Sequence, residues 1–182
     1  MKALLLLLFV AGAALAQTNV QIANPCVNQA CFVTSQSATV SASGSIVLTI
    51  QQPATGARQV SLQQAMIQCP GQSFTVAQAQ NGTAATATAG TATALLPIQY
   101  INNGTTAVTA AALVFTSSNV GSGTATSPTQ TYTSGSAPVL DLSQRTMGIP
   151  PSGTSYNYSI TLTNTGGSSC SGSIAIQWSE KI

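Results

Sequence analysis

Hydrophobic and polar residues alternate along much of this 182-residue chain, most clearly near its C-terminus. In "SYNYSITLTN" (155–164), every second position from Tyr156 to Leu162 is tyrosine, isoleucine or leucine, and the positions between them are polar. In "SIAIQWS" (173–179), isoleucine and tryptophan recur with the same period. A period of two is that of a β-strand with one buried face. Because the glycine-rich "TGGSSCSG" joins the two segments, they are predicted to form a β-hairpin.

Shorter strands are predicted along the rest of the chain, between turns rich in Gly, Pro, Asn and Ser. Thr, Val and Ile are common while Glu and Lys are scarce, which favours strands over helices. The predicted strands cover residues 45–51, 58–67, 73–80, 95–101 and 108–116. "SLQQAMIQ" (61–68) could instead begin a short helix, because Ser61 and Gln64 fit a capping box. The alternation of Val60, Leu62 and Met66 favours the strand. Residues 119–138 are predicted to be a loop or a long, loosely paired segment.

Seven or more short strands at this spacing predict an all-β fold, an antiparallel β-sandwich. The segment "PPSGTSYNYSITLTNTG" (150–166) resembles the pattern of bacterial surface immunoglobulin-like modules. That resemblance implies an immunoglobulin-like sandwich, and a jelly roll is the alternative.

The N-terminus has a different pattern. Met1 and Lys2 precede an apolar run, Ala3–Ala16, that ends in "ALA". This arrangement predicts a secretory signal peptide (1–16) that is cleaved before Gln17. The run of about 14 residues is shorter than the roughly 20 that a spanning helix needs. We therefore expect one secreted domain (17–182), extracellular or on the cell surface, with no membrane span after cleavage.

The chain has four cysteines, and an even number in an exported protein predicts two disulfides. They are Cys26, Cys31, Cys69 and Cys170. Of the three possible pairings we favour Cys26–Cys31 with Cys69–Cys170, which would close one small loop and one large one. A zinc site is the alternative, which export and the absence of histidine disfavour.

Charged residues make up only 3% of the chain, four of them basic and two acidic. The scattered basic residues make no nucleic-acid-binding patch, so no nucleic-acid partner is expected. A net charge of +2 provides little repulsion between molecules. Protein partners or self-association are therefore expected. One route to assembly is strand addition by the segment "QTNVQIANP" (17–25) to a neighbour's sheet edge.

Few residues are suited to catalysis. Without histidine, Ser-His-Asp and Cys-His mechanisms are excluded. Asp141 and Glu180 are the only carboxylates that could form a glycosidase pair, which needs two side chains close together. We expect a protein that is not an enzyme and has no catalytic, cofactor or metal site. Asp141 and Arg145 are expected to form a weak surface ion pair.

Three aromatic residues, Tyr156, Tyr158 and Trp178, could form a sugar-binding platform. They fall on the same face of each predicted strand as the aliphatic residues, however, and this predicts core positions. "NGTAATATAGTATALL" (81–96) predicts an outer strand with a threonine face. Three sequons, at Asn81, Asn103 and Asn157, would accept glycans only in a host that glycosylates.

The sequence leaves two candidate functions. The first is a secreted, non-catalytic structural or adhesion and interaction module of the cell surface or extracellular matrix, able to self-assemble. The alternative is a monomeric extracellular β-sandwich that binds a ligand or carbohydrate.

Overall fold

The structure is a computed structural model that describes residues 29–53, 58–81, 88–90, 93–94, 110–117 and 123–181. The predicted signal peptide (1–16), the segment 17–25 and the predicted strand 95–101 lie outside the described residues, as do Cys26 and Asn103. Within the described ranges, no helix is long and apolar enough to cross a membrane.

The described residues form thirteen β-strands. The strands are β1 (Gln29–Val40), β2 (Ser45–Pro53), β3 (Val60–Gln68), β4 (Phe74–Gln80), β5 (Thr88–Ala89), β6 (Thr93–Ala94), β7 (Leu113–Ser117), β8 (Thr124–Ala125), β9 (Gln130–Tyr132), β10 (Val139–Asp141), β11 (Thr146–Met147), β12 (Ser155–Asn164) and β13 (Cys170–Lys181).

The strands form two antiparallel sheets. Sheet A has the order β10-β3-β13-β1-β6, with β11 also paired to β3. Sheet B has the order β5-β7-β2-β12-β4-β8, with β9 also paired to β4. One cluster of buried side chains, contributed by both sheets, fills the space between them. The prediction of an all-β, antiparallel and sandwich-like fold is therefore confirmed.

The pairing of the strands is nested. β1 pairs with β13 along its whole length, and β2 pairs with β12. β3 pairs with β10 and β11, while β4 pairs with β8 and β9. The first four strands thus meet the last strands in reverse order, and each of the connections β1–β2, β3–β4 and β12–β13 passes from one sheet to the other.

The predicted hairpin of the last two long strands is wrong. β12 lies between β2 and β4 in sheet B, whereas β13 lies between β1 and β3 in sheet A. Residues 165–169 therefore form an arch between the sheets. The period of two correctly identified the core-facing side of each strand, but β12 does not have one buried face only, because Asn157, Ser159 and Thr161 on its polar side are also buried. The period also carries no information about which strand is the neighbour. The two apolar faces pack against each other across the core.

The core is built from alternate positions of the long strands. Phe32 and Trp178 stack in it with ring centroids 5.6 Å apart. The largest fully buried side chains are Trp178, Phe32, Phe74, Ile46, Leu48, Ile50, Leu62, Ile67, Leu142, Ile160, Leu162 and Ile174. Strand β1 was not predicted from the sequence, because two of its inward positions are the polar residues Thr34 and Gln36.

Strand β3 contains a β-bulge that shifts its phase. Leu62 lies opposite Trp178 and Gln64 lies opposite Gln177, so Gln63 is the extra residue. As a result Met66, which strict alternation would bury, is 46% exposed. The prediction of a strand rather than a helix is confirmed, although the alternation that favoured the strand is interrupted before Met66.

The three connections that pass between the sheets, β1–β2 (41–44), β3–β4 (69–73) and β12–β13 (165–169), are arches that meet at one end of the sandwich. Asn164 connects the first of these arches to the third. Its buried amide donates to the carbonyl oxygens of Val40 and Ser41 at 3.2 Å and of Ser168 at 2.8 Å. At the same end, Cys69 after β3 is bonded to Cys170 at the start of β13. This is the long-range pairing favoured from the sequence. Cys31 is also disulfide-bonded, and its predicted partner Cys26 lies outside the described residues.

The threonine-rich stretch 81–96 supplies two short strands rather than one outer strand. β5 pairs with β7 in sheet B, whereas β6 pairs with β1 in sheet A. Between them, Gly90 donates its N–H to the Val114 carbonyl oxygen at 2.7 Å. A Cβ at Gly90 would lie 2.8 Å from Val114 Cγ1, so glycine permits this close approach.

Removing the disulfide with the double substitution Cys69→Ala/Cys170→Ala should destabilise the fold by about 4 kcal/mol, since the bond closes a loop over a sequence separation of 101 residues. Urea unfolding of the variant and the oxidised parent measures the difference. The parent treated with reductant should show a loss at least as large. A loss well below about 1 kcal/mol would contradict this role for the bond.

Candidate functional site

The two acidic side chains lie in different environments. Glu180 on β13 is fully buried and forms an ion pair with Arg58, at 3.1 Å between Oε2 and Nη1. Its carboxylate also accepts the N–H groups of Ala111 and Ala112 at 2.8–2.9 Å. These contacts join sheet A to the segment that leads into β7 of sheet B. Glu180 is therefore held in place as a structural anchor.

Asp141 at the end of β10 shapes a turn. Its Oδ1 accepts the backbone N–H of Ser143 at 2.9 Å, and the N–H of Arg145 donates to the Leu142 carbonyl oxygen at 2.7 Å. Hydrogen bonds from Ser143, through its side chain and then its backbone, hold the pKa of Asp141 below its usual value. The predicted ion pair between Asp141 and Arg145 is wrong, because the turn directs the two side chains to different partners.

The two carboxylates do not form a catalytic pair. Asp141 lies opposite Gln64 and Glu180 lies opposite Val60, on opposite edges of β3. Neighbouring strands are about 4.8 Å apart, so two strand spacings and several residues along the strands separate them. Among the described residues, no group of three or more His, Cys, Asp or Glu side chains could hold a metal ion.

A cleft of about 350 Å³ opens between the two sheets, at the end opposite the three arches. It is lined by Leu62, Gln80, Asn81, Gln144, Arg145, Thr146, Met147, Gly148, Tyr156, Asn157 and Tyr158. Buried Leu62, Met147 and Tyr158 form an apolar floor, while Gln80, Asn81 and Gln144 are exposed at the rim. We call this the end cleft. Its volume is within the range of small-molecule sites, and its lining is mixed, with more polar than apolar surface.

Two backbone features position the rim of the end cleft. Asn81 has a φ of 55°, and its N–H donates to the Asn157 carbonyl oxygen at 2.8 Å, which extends the contact between β4 and β12. Leu142 is buried and donates its N–H to the Gln63 carbonyl oxygen at 2.9 Å. The β-bulge in β3 therefore supports the turn that carries Arg145.

Arg145 is the only charged residue that lines the end cleft among the described residues. Its Nη2 donates to the Thr126 carbonyl oxygen at 2.9 Å. Burial raises the pKa of Tyr158, and the positive charge of Arg145 opposes that rise. The Tyr158 hydroxyl donates to Gln78 Oε1 at 2.5 Å and stays protonated at neutral pH. The floor of the cleft is therefore neutral.

The aromatic residues divide between the core and the end cleft. Trp178 and Tyr158 are 0% and 2% exposed, so their predicted core positions are confirmed. Tyr156 is partly buried and lines the cleft. Among the sequons, Asn81 is exposed, whereas Asn157 is buried and accepts a hydrogen bond from Gln51 at 2.8 Å. Asn157 is therefore poorly placed for glycosylation.

The sequence did not predict the end cleft, since its lining comes from both sheets and from two turns. The only local signal was at the end of β4, where the polar residues Gln80 and Asn81 are adjacent. Comparisons with protein-family models, curated proteins and solved structures gave no match.

The substitution Glu180→Gln should destabilise the protein by about 2–3 kcal/mol. Breaking a fully buried ion pair costs roughly 3–5 kcal/mol, and partial exposure of Arg58, at 29%, reduces that cost. Chemical denaturation measures the change. Asp141→Asn removes the same charge from an exposed site and should change stability by less than about 0.5 kcal/mol. A Glu180→Gln protein as stable as the parent would show that the carboxylate is not a structural anchor.

Proposed function

We propose that this chain is a secreted, non-catalytic interaction module that binds a short carbohydrate in its end cleft. The observation that supports the proposal is a cleft of about 350 Å³ with an apolar floor and a rim of amide side chains. This volume is at the low end of the range for small-molecule sites, which suits a short saccharide.

The chemistry of the rim supports a sugar ligand. Gln80, Asn81 and Gln144 are exposed amides, and each amide offers both hydrogen-bond donors and acceptors. Sugar hydroxyls also donate and accept, so amides match them without fixing a charge. Tyr156 is partly buried at the same cleft and adds an aromatic surface for the apolar side of a sugar ring.

We further propose that the sandwich is a jelly roll. The first four strands pair with the last strands in reverse order, and the three arches all cross between sheets. An immunoglobulin-like sandwich instead divides its seven strands into ABED and CFG sheets, so A–B, D–E and F–G remain within one sheet. Jelly rolls include lectin domains, which agrees with a binding role as an analogy of fold only.

An extracellular location is part of the proposal. The disulfide between Cys69 and Cys170 is of the kind that persists in oxidising compartments. The predicted signal peptide (1–16) supports secretion independently. Together they support a module that acts outside the cell or on its surface.

The test is titration of the protein (residues 17–182) with a panel of mono- and disaccharides, by calorimetry and by NMR. Gln80→Ala and Gln144→Ala should each weaken binding by about 3–10-fold, the contribution of one lost hydrogen bond. Gln68→Ala is the matched control, because Gln68 is exposed but lies outside the cleft. If no saccharide binds, or if Gln68→Ala weakens binding equally, the proposed site is wrong.

A second candidate is self-assembly through the edge of β1. Among the described strands, β6 pairs with β1 only at Phe32 and Val33 on the side away from β13. Beyond that point Ser35, Ser37, Ala38 and Thr39 are exposed, and all are small and uncharged. Exposed edges without charge or proline favour pairing with another chain. The segment 17–25 is the candidate strand that would add to this edge.

Light scattering on residues 17–182 over a hundredfold concentration range tests this candidate. Large species should form and should decrease when Ser37→Lys places a charge on the β1 edge. Ser152→Lys adds the same charge in the exposed turn after Pro151 and should leave assembly unchanged. Deletion of 17–25 should abolish the large species. A monomer at every concentration would exclude assembly and leave the carbohydrate proposal intact.

A further inference from the structure

Arg145 gives the end cleft a charge that the protein itself does not neutralise. A guanidinium has five N–H donors, and one of them donates to the Thr126 carbonyl oxygen at 2.9 Å. The other four have no hydrogen-bond acceptor among the described residues. Arg145 lines the cleft and is half-buried, so these donors are available to a ligand while the surrounding protein limits their exposure to water.

Neither acidic side chain can provide the missing negative charge. Glu180 is bonded to Arg58 and to two backbone N–H groups. Asp141 is exposed, and its carboxylate accepts the N–H of Ser143. Within the part of the chain that the structure describes, no carboxylate lines the end cleft. A bound anion would therefore meet a positive charge and no acidic side chain within the cleft.

We infer that the end cleft binds an acidic saccharide, a sugar whose carboxylate contacts Arg145 while its hydroxyls contact the amide rim. This inference rests on the proposed function and names the class of its ligand. The planar guanidinium matches a carboxylate through two parallel hydrogen bonds. The exposed amides of Gln80 and Gln144 and the aromatic ring of Tyr156 then hold the neutral part of the sugar.

The turn before β11 is what makes this contact specific. The Arg145 backbone is fixed at both its N–H, by the Leu142 carbonyl oxygen, and its carbonyl oxygen, by the N–H of Leu62. The side chain is further fixed by Thr126. A positioned guanidinium loses less conformational freedom on binding than one on an unconstrained surface side chain.

The experiment uses residues 17–182 and three probes: glucuronate, glucose and acetate. Glucuronate carries both the sugar ring and the carboxylate, glucose carries only the ring, and acetate carries only the carboxylate. We expect glucuronate to bind about tenfold or more tightly than either of the other two, since charge-assisted hydrogen bonds exceed neutral ones. Raising the salt concentration should reduce this preference.

The arginine side chains provide a direct readout. The chain has two arginines, Arg58 and Arg145, so its NMR spectrum should contain two arginine Nε–Hε signals. Glucuronate should shift the Arg145 signal and leave the signal of ion-paired Arg58 in place. Arg145→Gln identifies the Arg145 signal by its loss.

The variants separate charge from geometry. Arg145→Gln should weaken glucuronate binding about tenfold or more, so that the ratio of the glucuronate affinity to the glucose affinity falls toward one. Arg145→Lys keeps the charge without the planar fork and should fall between the parent and Arg145→Gln. Lys181→Gln, which removes an exposed charge elsewhere, is the matched control. Thermal unfolding of each variant verifies that it is folded.

Each remaining outcome overturns the inference in a distinguishable way. Equal affinity for glucose and glucuronate would exclude the acidic ligand but retain the proposed carbohydrate site. Acetate binding as tightly as glucuronate would show an anion site to which the sugar contributes nothing. No binding of either sugar here, together with no binding in the wider saccharide panel, would exclude the inference and the proposed function together.

Discussion

The crossing from β12 to β13 is the constraint on which the rest of the structure depends. Both strands are central in their sheets, so the arch 165–169 sets how the two sheets face each other. Asn164 donates to Ser168 within that arch and to Val40 and Ser41 at the β1–β2 connection, and the Cys69–Cys170 bond connects the arch to the end of β3. Buried carbonyl groups need such partners, because unpaired ones are costly. The opposite end, which these contacts do not close, is where the end cleft forms.

The few charged side chains of this chain have separate structural consequences. The buried carboxylate of Glu180 joins two sheets, and the exposed carboxylate of Asp141 shapes one turn. Arg58 neutralises the first of these, whereas Arg145 is turned to a cleft without an acidic side chain. In a protein with so little charge, an uncompensated guanidinium is a strong local feature. Its position is set by backbone hydrogen bonds rather than by a neighbouring charge.

The sequence predicted well which positions of a strand face the core, and it predicted poorly which strands pair with each other. The alternation in β12 identified the buried positions Tyr158, Ile160 and Leu162, since one strand's pattern reflects its own burial. The same alternation predicted a hairpin wrongly, because pairing depends on strands distant in sequence. The bulge at Gln63 reversed the phase of β3 and exposed Met66. The end cleft could not be predicted, since strands from both sheets and the turn at Arg145 contribute to it. No single segment of the sequence contains the set of residues that lines the end cleft.

The nested pairing also determines when the chain can fold. β1 has its full-length partner in β13, which follows all the other described strands in the sequence. A chain that emerges N-terminus first therefore cannot complete sheet A until β13 has been synthesised. Such non-local pairing gives a high contact order and slow folding, with unpaired strands exposed in the meantime. It also means that synthesis of β13, rather than of the first strands, would start cooperative folding.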